Sequence, residues 1–299
     1  MWIGCTLLTF LCWGIADLFY KIGNQGKGEG NHLKTSVFVG FIMGIHATLF
    51  LLIKETNIQV LDLLRYLPVS ILYISSMVIG YRGLKYLELS ISSPIQNTSG
   101  VITAILLLLI FQEHFDFPFY IAVILIFIGI FALSSIELQE NKEQRKSFYK
   151  SNTLKKVLSL TILFPLIYCL LDGAGTFLDG IYLDKLSLIE EDTALVAYEY
   201  TFLIYGIITY IYLRMKKIPM EGPKETPKLL AALFETAGQF FYVYAMSGNA
   251  TISAPIVGSY CVLSMLLSRV FLKEKLTKKE YCFISLVLVG ILILAIMDI

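Results

Sequence analysis

Five carboxylates interrupt stretches that are otherwise apolar: Asp17, Asp172, Asp179, Glu199 and Glu235. A charged side chain at the centre of a bilayer costs about 2.5–3.5 kcal/mol on insertion scales, so those a chain keeps face a bundle interior or a wet cavity. Helical spacing sorts them, because residues three and four apart lie above one another on one face. Tyr168, Asp172, Thr176 (or Gly175) and Asp179 form one stripe, and Glu235, Gln239, Tyr242 and Met246 a second. Trp13, Asp17 and Lys21 form a third, and Tyr73, Met77 and Tyr81 a fourth. Faces that mix acid, amide and aromatic groups are unsuited to lipid, so these stripes are expected to meet at a polar centre. Asp17, Asp172 and Glu235 lie deepest. Two chemistries suit them: neutralising a bound cation, with Trp13, Tyr81, Tyr168 and Tyr242 adding cation–π contact, or carrying a proton. Gln239 and Thr176 are the hydrogen-bonding groups beside them.

Other polar residues have plainer readings. Asp17 and Lys21 have the spacing of an intrahelical ion pair, and Lys21 could snorkel to headgroups. Glu199 lies about one turn inside a span edge, where an interfacial role suits it equally. Asp184, Glu190, Glu191 and Asp192 read as a solvated loop, and Glu113 and Glu274 as residues that set helix ends. Ser92-Ser93-Pro94 and Ser253-Ala254-Pro255 look like an N-cap followed by a first-turn proline. Such a start could hold an anion, although ordinary helix initiation accounts for it. Gly100, Gly129, Gly238 and Gly290 suit close helix packing. Cys5, Cys12, Cys169, Cys261 and Cys282 are scattered without a CxxC and read as packing residues. His32, His46 and His114 are isolated, so neither a zinc site nor any cofactor is expected.

The elements that must position these groups are membrane spans. Hydrophobic residues make up 57% of the 299 positions, charged ones 16%, and mean hydropathy is +0.72. A soluble domain carries about 25% charged residues. A net charge of +1 leaves no basic surface for nucleic acid. A span takes about 20 apolar residues, and ten segments qualify: 2–22, 35–53, 66–84, 94–111, 118–136, 157–184, 194–213, 229–246, 253–272 and 281–297. The first lacks the basic leader and small-residue cleavage site of a secretion signal and reads as a span. The polar stretch 137–156 divides the chain five plus five. The expected domains are 1–137, a cytoplasmic linker at 138–156, and 157–299.

The halves repeat. Residues 92–136 align with 253–297 without a gap, placing Pro94 on Pro255, Glu113 on Glu274, Tyr120 on Tyr281 and Gly129 on Gly290. An odd number of spans per copy makes the second enter the membrane from the opposite side, so the repeats are inverted. Loops after odd-numbered spans hold 18 of the 24 Lys and Arg, against 3 in the loops after even-numbered spans. The positive-inside rule then predicts a cytoplasmic linker and outer termini, in a bacterial-type plasma membrane.

Trp13-Gly14 followed by Lys21, and the twice-present pair of a Pro-led span ending in Glu (Glu113, Glu274) and a Gly-bearing last span, resemble the EamA family of the drug/metabolite transporter superfamily. The second half departs from the pattern, with Asp172-Gly173 where Trp-Gly is expected. The resemblance implies an all-α membrane protein of ten transmembrane helices, two inverted five-helix repeats around a central cavity lined mainly by spans 1, 3, 4, 6, 8 and 9. It implies movement of a small solute by alternating access. Combined with the stripes, the favoured substrate is a cationic or zwitterionic metabolite of amino-acid or amine type. Its expected contacts are Trp13, Asp17, Tyr81, Tyr168, Asp172, Thr176, Glu235, Gln239 and Tyr242. The alternative is a proton-coupled exporter of amphipathic compounds. A membrane enzyme or lipid-handling protein is remote, since no nucleotide loop, Ser/His/Asp grouping or HExxH is present. Expected partners are the small-molecule substrate and the lipid bilayer, with protons as a coupling ion and a homodimer left open; no nucleic acid is expected.

Overall fold

The computed structural model describes residues 2–25, 28–54, 58–86, 89–148 and 163–297. Among them the regular elements are helices: α1 (Trp2–Asn24), α2 (Asn31–Lys54), α3 (Val60–Gly83), α4 (Leu89–Phe111), α5 (Phe117–Phe148), α6 (Leu163–Asp179), α7 (Glu191–Met215), α8 (Thr226–Val257), α9 (Tyr260–Leu267) and α10 (Lys278–Ile296). A π turn, Gly180–Lys185, prolongs α6, and another, Ser268–Leu272, prolongs α9. Start signals are local where they can be seen. Thr277 caps α10, accepting from Glu280 N at 3.4 Å while the Glu280 carboxylate reaches back to Thr277 N.

The helix numbering does not match the spans one to one, because α8 is folded back on itself. Asn249 has φ −167° and ψ 94°, an extended residue inside the helical run. Its side-chain oxygen accepts from Ile252 N at 3.0 Å and so restarts the helix. Contacts with α1 show that the chain reverses there. Trp2 lies against Gly248, Trp13 Nε1 donates to Glu235 O at 3.3 Å, and Gly23 lies against Lys228, so α1 runs antiparallel to 226–248. Thr6 is 3.0 Å from Ser253 Oγ, and Ser264 Oγ donates to Gly14 O at 3.4 Å, so α1 runs parallel to 250–267. The run Gly222–Leu272, 51 residues long, therefore crosses twice. Seven other runs are long and apolar enough to span, and with the shorter Phe117–Leu133 the described residues make ten passes.

The ten passes form two inverted repeats around a central cavity, and helix crossings display the pseudo-two-fold relation. A Cβ on Gly129 would meet Val287 Cγ2 and Phe283 O, and one on Gly290 would meet Ile126 Cγ1 and Ala122 O. These are the same contacts with the two halves exchanged, and they let α5 and α10 cross closely. Glu113 and Glu274 obey the same exchange. Glu113 accepts from Thr251 Oγ1 at the start of the second limb of α8 and pairs with Lys185, whereas Glu274 accepts from Leu89 N, at the start of α4, at 3.4 Å. These acids hold the other repeat's helix starts, in keeping with the structural role their positions suggest.

Several expectations change. Helix α5 continues to Phe148, eleven residues into the expected linker 138–156, while 149–156 and the first six residues of the sixth span lie outside the described residues. Neither Ser-Pro step starts a helix: α4 begins at Leu89 and the second limb of α8 at 250, so Pro94 and Pro255 lie inside helices. The earlier starts are fixed by Glu274 at Leu89 N, by the local cap of Asn249 on Ile252 N, and by Asp184, read as solvated loop, which accepts from Ala250 N at 2.9 Å; these outweigh the local serine signal.

Candidate functional site

The inward faces of α1, α3, α4 and α6 to α9 enclose a cavity. Its wall carries three carboxylates, Asp17, Asp172 and Glu235, together with Trp13 and seven tyrosines; among the described residues no Lys, Arg or His lines it. The volume open to the centre of a water-sized sphere is about 60 Å³. At about 10–15 Å³ per water this holds a handful of waters or one small solute.

Helix α4 serves two of the acids. Its Ser93 Oγ donates to Asp17 Oδ2 at 2.6 Å, and its Ser99 Oγ donates to Asp172 Oδ2 at 2.7 Å. Both hydroxyls come from the polar run SSPIQNTSG, which helical periodicity turns towards α1 on one side and α6 on the other. Thr103 Oγ1, one turn on from Ser99, donates to Gly173 O at 3.1 Å and ties α4 to α6. Close approach is built in where Gly100 of α4 meets Gly258, just after α8.

The aromatic wall is continuous. The Trp13 ring lies 4.9 Å from that of Tyr242 and 6.0 Å from that of Tyr260. Tyr73 packs edge-on against Tyr198 at 5.8 Å, and Tyr20 lies 4.5 Å from Tyr81. The hydroxyls of Tyr20 and Tyr81 are buried and have no hydrogen-bond partner among the described residues. Beyond Tyr73 the cavity is closed by a hydroxyl network on Asp179, which is fully buried. Tyr66 donates to one of its oxygens, and Tyr73 lies 2.9 Å from the other, 2.8 Å from the Tyr242 hydroxyl and 3.0 Å from Thr176 Oγ1.

Trp13, Asp17, Tyr81, Tyr168, Asp172, Thr176, Glu235 and Tyr242 all line this cavity. Gln239 does not: it is buried, and its Nε2 has no partner among the described residues. Lys21, one turn from Asp17, donates to Leu84 O at 3.0 Å, and no ion pair between Lys21 and Asp17 is present among the described residues. Glu199 belongs to a different place. It is fully buried between α7 and α2, with both oxygens 2.8 Å from His46 Nδ1. Sequence reading did not assign Tyr20, Tyr198, Tyr260, Ser93 or Ser99 to the site. Tyr20 was legible, standing one turn beyond Ala16 beside Asp17, and so was the hydroxyl run; Tyr198 and Tyr260 carry no local signal.

One crystal structure of a protein superposes on 98% of this chain, and on 97% of its own, with a TM-score of 0.65. At 10% identity it shows a shared fold alone. No curated protein matches the chain in sequence. The sequence pattern of the EamA-like transporter family matches residues 1–135 and 159–296, nearly the whole length. The chain is therefore a multi-pass integral membrane protein and belongs to the EamA-like transporter family, within the drug/metabolite transporter superfamily.

Proposed function

We propose that this transporter is a secondary carrier of a small cationic or zwitterionic metabolite, bound in the central cavity and moved by alternating access. The observation that carries this reading is the wall itself: three carboxylates and eight aromatic rings, with no basic residue among the described residues that line it. An organic cation gains there from the carboxylates and from ring faces, worth about 2 kcal/mol or more for each desolvated cation–π contact. An anion would meet uncompensated repulsion. Asp172 and Glu235 supply the counter-charge, Thr176 a hydrogen bond, and Trp13 and Tyr242 the stacking faces. Gln239 supports the wall from behind, since it does not reach the cavity.

The inverted repeats would rock about this site so that it faces each side in turn. The uneven distribution of Lys and Arg between loops supports a cytoplasmic linker and outer termini; a terminal reporter active in the cytoplasm overturns that orientation. The substrate class is tested in vesicles loaded with the protein, using small amines and amino acids. The double variant D172N/E235Q is expected to lose cation flux, and unchanged flux ends the site assignment.

A second reading rests on the excess of acid. A cation and a proton that compete for the same carboxylates replace one another as the site faces each side in turn, which makes the carrier an antiporter. Transport that responds to an imposed pH gradient supports this; transport indifferent to it supports simple exchange.

A further inference from the structure

The two repeats differ in chemistry where they line the cavity. The gapless alignment of 92–136 with 253–297 pairs Gln96 with Val257, Asn97 with Gly258 and Ser99 with Tyr260. All six residues line the cavity, so the pairs are equivalent in place as well as in sequence. What the fold needs of a position is common to both halves, as at Gly129 and Gly290. An amide on one side answered by an aliphatic side chain on the other therefore points to the ligand rather than the fold.

Most polar groups of this run on α4 are already engaged within the protein. Ser93 Oγ donates to Asp17, and Asn97 Nδ2 donates to Ser93 O at 2.8 Å. The Asn97 amide is also within reach of the Tyr260 hydroxyl. Thr98 Oγ1 donates to Pro94 O at 3.1 Å, Ser99 Oγ to Asp172, and Thr103 Oγ1 to Gly173 O. Gln96 stands apart. Its Nε2 donates to Ser92 Oγ at 2.9 Å, one turn back, while its Oε1 has no partner among the described residues. The side chain is 4% exposed and belongs to the cavity wall. An enclosed amide oxygen without a donor is unfavourable, and Val257 shows that the fold manages the equivalent place without one. With the nitrogen anchored on Ser92, the oxygen is the atom offered to the cavity. Among the described residues no base lines the wall, so the donor it awaits belongs to what the cavity holds.

We propose that Gln96 is a substrate-binding residue whose amide oxygen accepts an N–H from the bound ammonium group. Ser92 is its positioning residue, holding the amide nitrogen away from the cation. The carboxylates attract any cation that fits, whereas a neutral acceptor gains only from one that carries N–H. Gln96 thus biases the site towards protonated amines and against their fully methylated counterparts. This rests on the cation reading above and narrows it.

The test measures binding to the purified full chain in detergent, using n-butylamine, 4-aminobutanoate and the N-trimethyl form of each. Q96M keeps the length of the side chain without its amide, and Q96E keeps an acceptor. Q96M is expected to weaken binding of the protonated amines on the order of tenfold, the loss of one hydrogen bond to a charged group, and to leave the trimethyl forms within about twofold. Q96V, which copies the second repeat, should behave as Q96M does. Q96E should keep the parent's preference for N–H, and S92A, which lets the amide turn, should narrow it. Equal loss for amines and trimethyl forms marks a structural role and overturns the inference. Unchanged binding of both overturns it too, and either result leaves the cation reading standing. An S92A preference equal to the parent's overturns the positioning role of Ser92. Failure of all four compounds to bind the parent overturns the inference and the cation reading together.

Discussion

The crossing of α4 with the second limb of α8 brings the backbones of the two repeats together at the cavity, and it can be tested with one methyl group. A Cβ on Gly100 would sit 2.4 Å from Ala254 O and 3.0 Å from Gly258 Cα, both backbone atoms of the facing segment. Ordinary contact begins at 3.4 Å, so the backbones must part by 1.0 Å (3.4 − 2.4). Gly173, on α6 beside the same helix, is the control, because its Cβ would meet Ser99 Cβ at 3.4 Å, an ordinary contact. Both changes gain the roughly 0.5–1 kcal/mol by which Ala exceeds Gly inside a helix. The difference between G100A and G173A therefore isolates the overpacking, about 1–3 kcal/mol. Thermal unfolding of the purified variants in one detergent should rank G173A at or above the parent and G100A below it, separated by roughly 2–10 °C. Equal stability of the two would refute the close approach at Gly100, and with it this description of how the repeats meet.

Two further changes probe buried charge. Glu225 sits buried between Lys34, at 3.0 Å, and Lys228; E225Q leaves two enclosed ammonium groups without a counter-charge and should cost about 3–5 kcal/mol. Size-exclusion profiles in detergent should show loss of folded protein, and replacing all three residues by Met should restore most of it. Asp179 accepts from Tyr66 and Tyr73; D179N turns one acceptor into a donor facing a hydroxyl and should cost about 1.5–3 kcal/mol, read as a lowered unfolding temperature.

Much of the cavity could be read from spacing alone, because a helical stripe of mixed polar and aromatic residues has one low-energy direction in a bilayer. Asp172 and Thr176 on α6, and Glu235 and Tyr242 on α8, reach the wall for that reason. Gln239 shares the stripe of Glu235 and still misses the cavity, since a stripe spans an arc wider than the opening it faces. The ion pair suggested by Asp17 and Lys21 fails for a related reason. Asp17 is drawn to Ser93 across the interface, and Lys21 extends to Leu84 O. Proline misplaced two helix starts because it suits a first turn, yet membrane helices tolerate it further in when neighbours satisfy the freed carbonyls. The partners of Glu199 could not be read at all. His46 is far away in sequence, and only the packing of α2 on α7 brings the two together.

The reversal at Asn249 limits how the eighth and ninth passes can move. One residue joins them, so their facing ends stay within the reach of a single peptide link, about 3.8 Å per residue. Glu235 and Tyr242 ride on one arm of the pinned pair, and Ala254 and Gly258 on or just beyond the other. Opening between these arms can come only from a change of angle about Asn249, as in a pair of tongs.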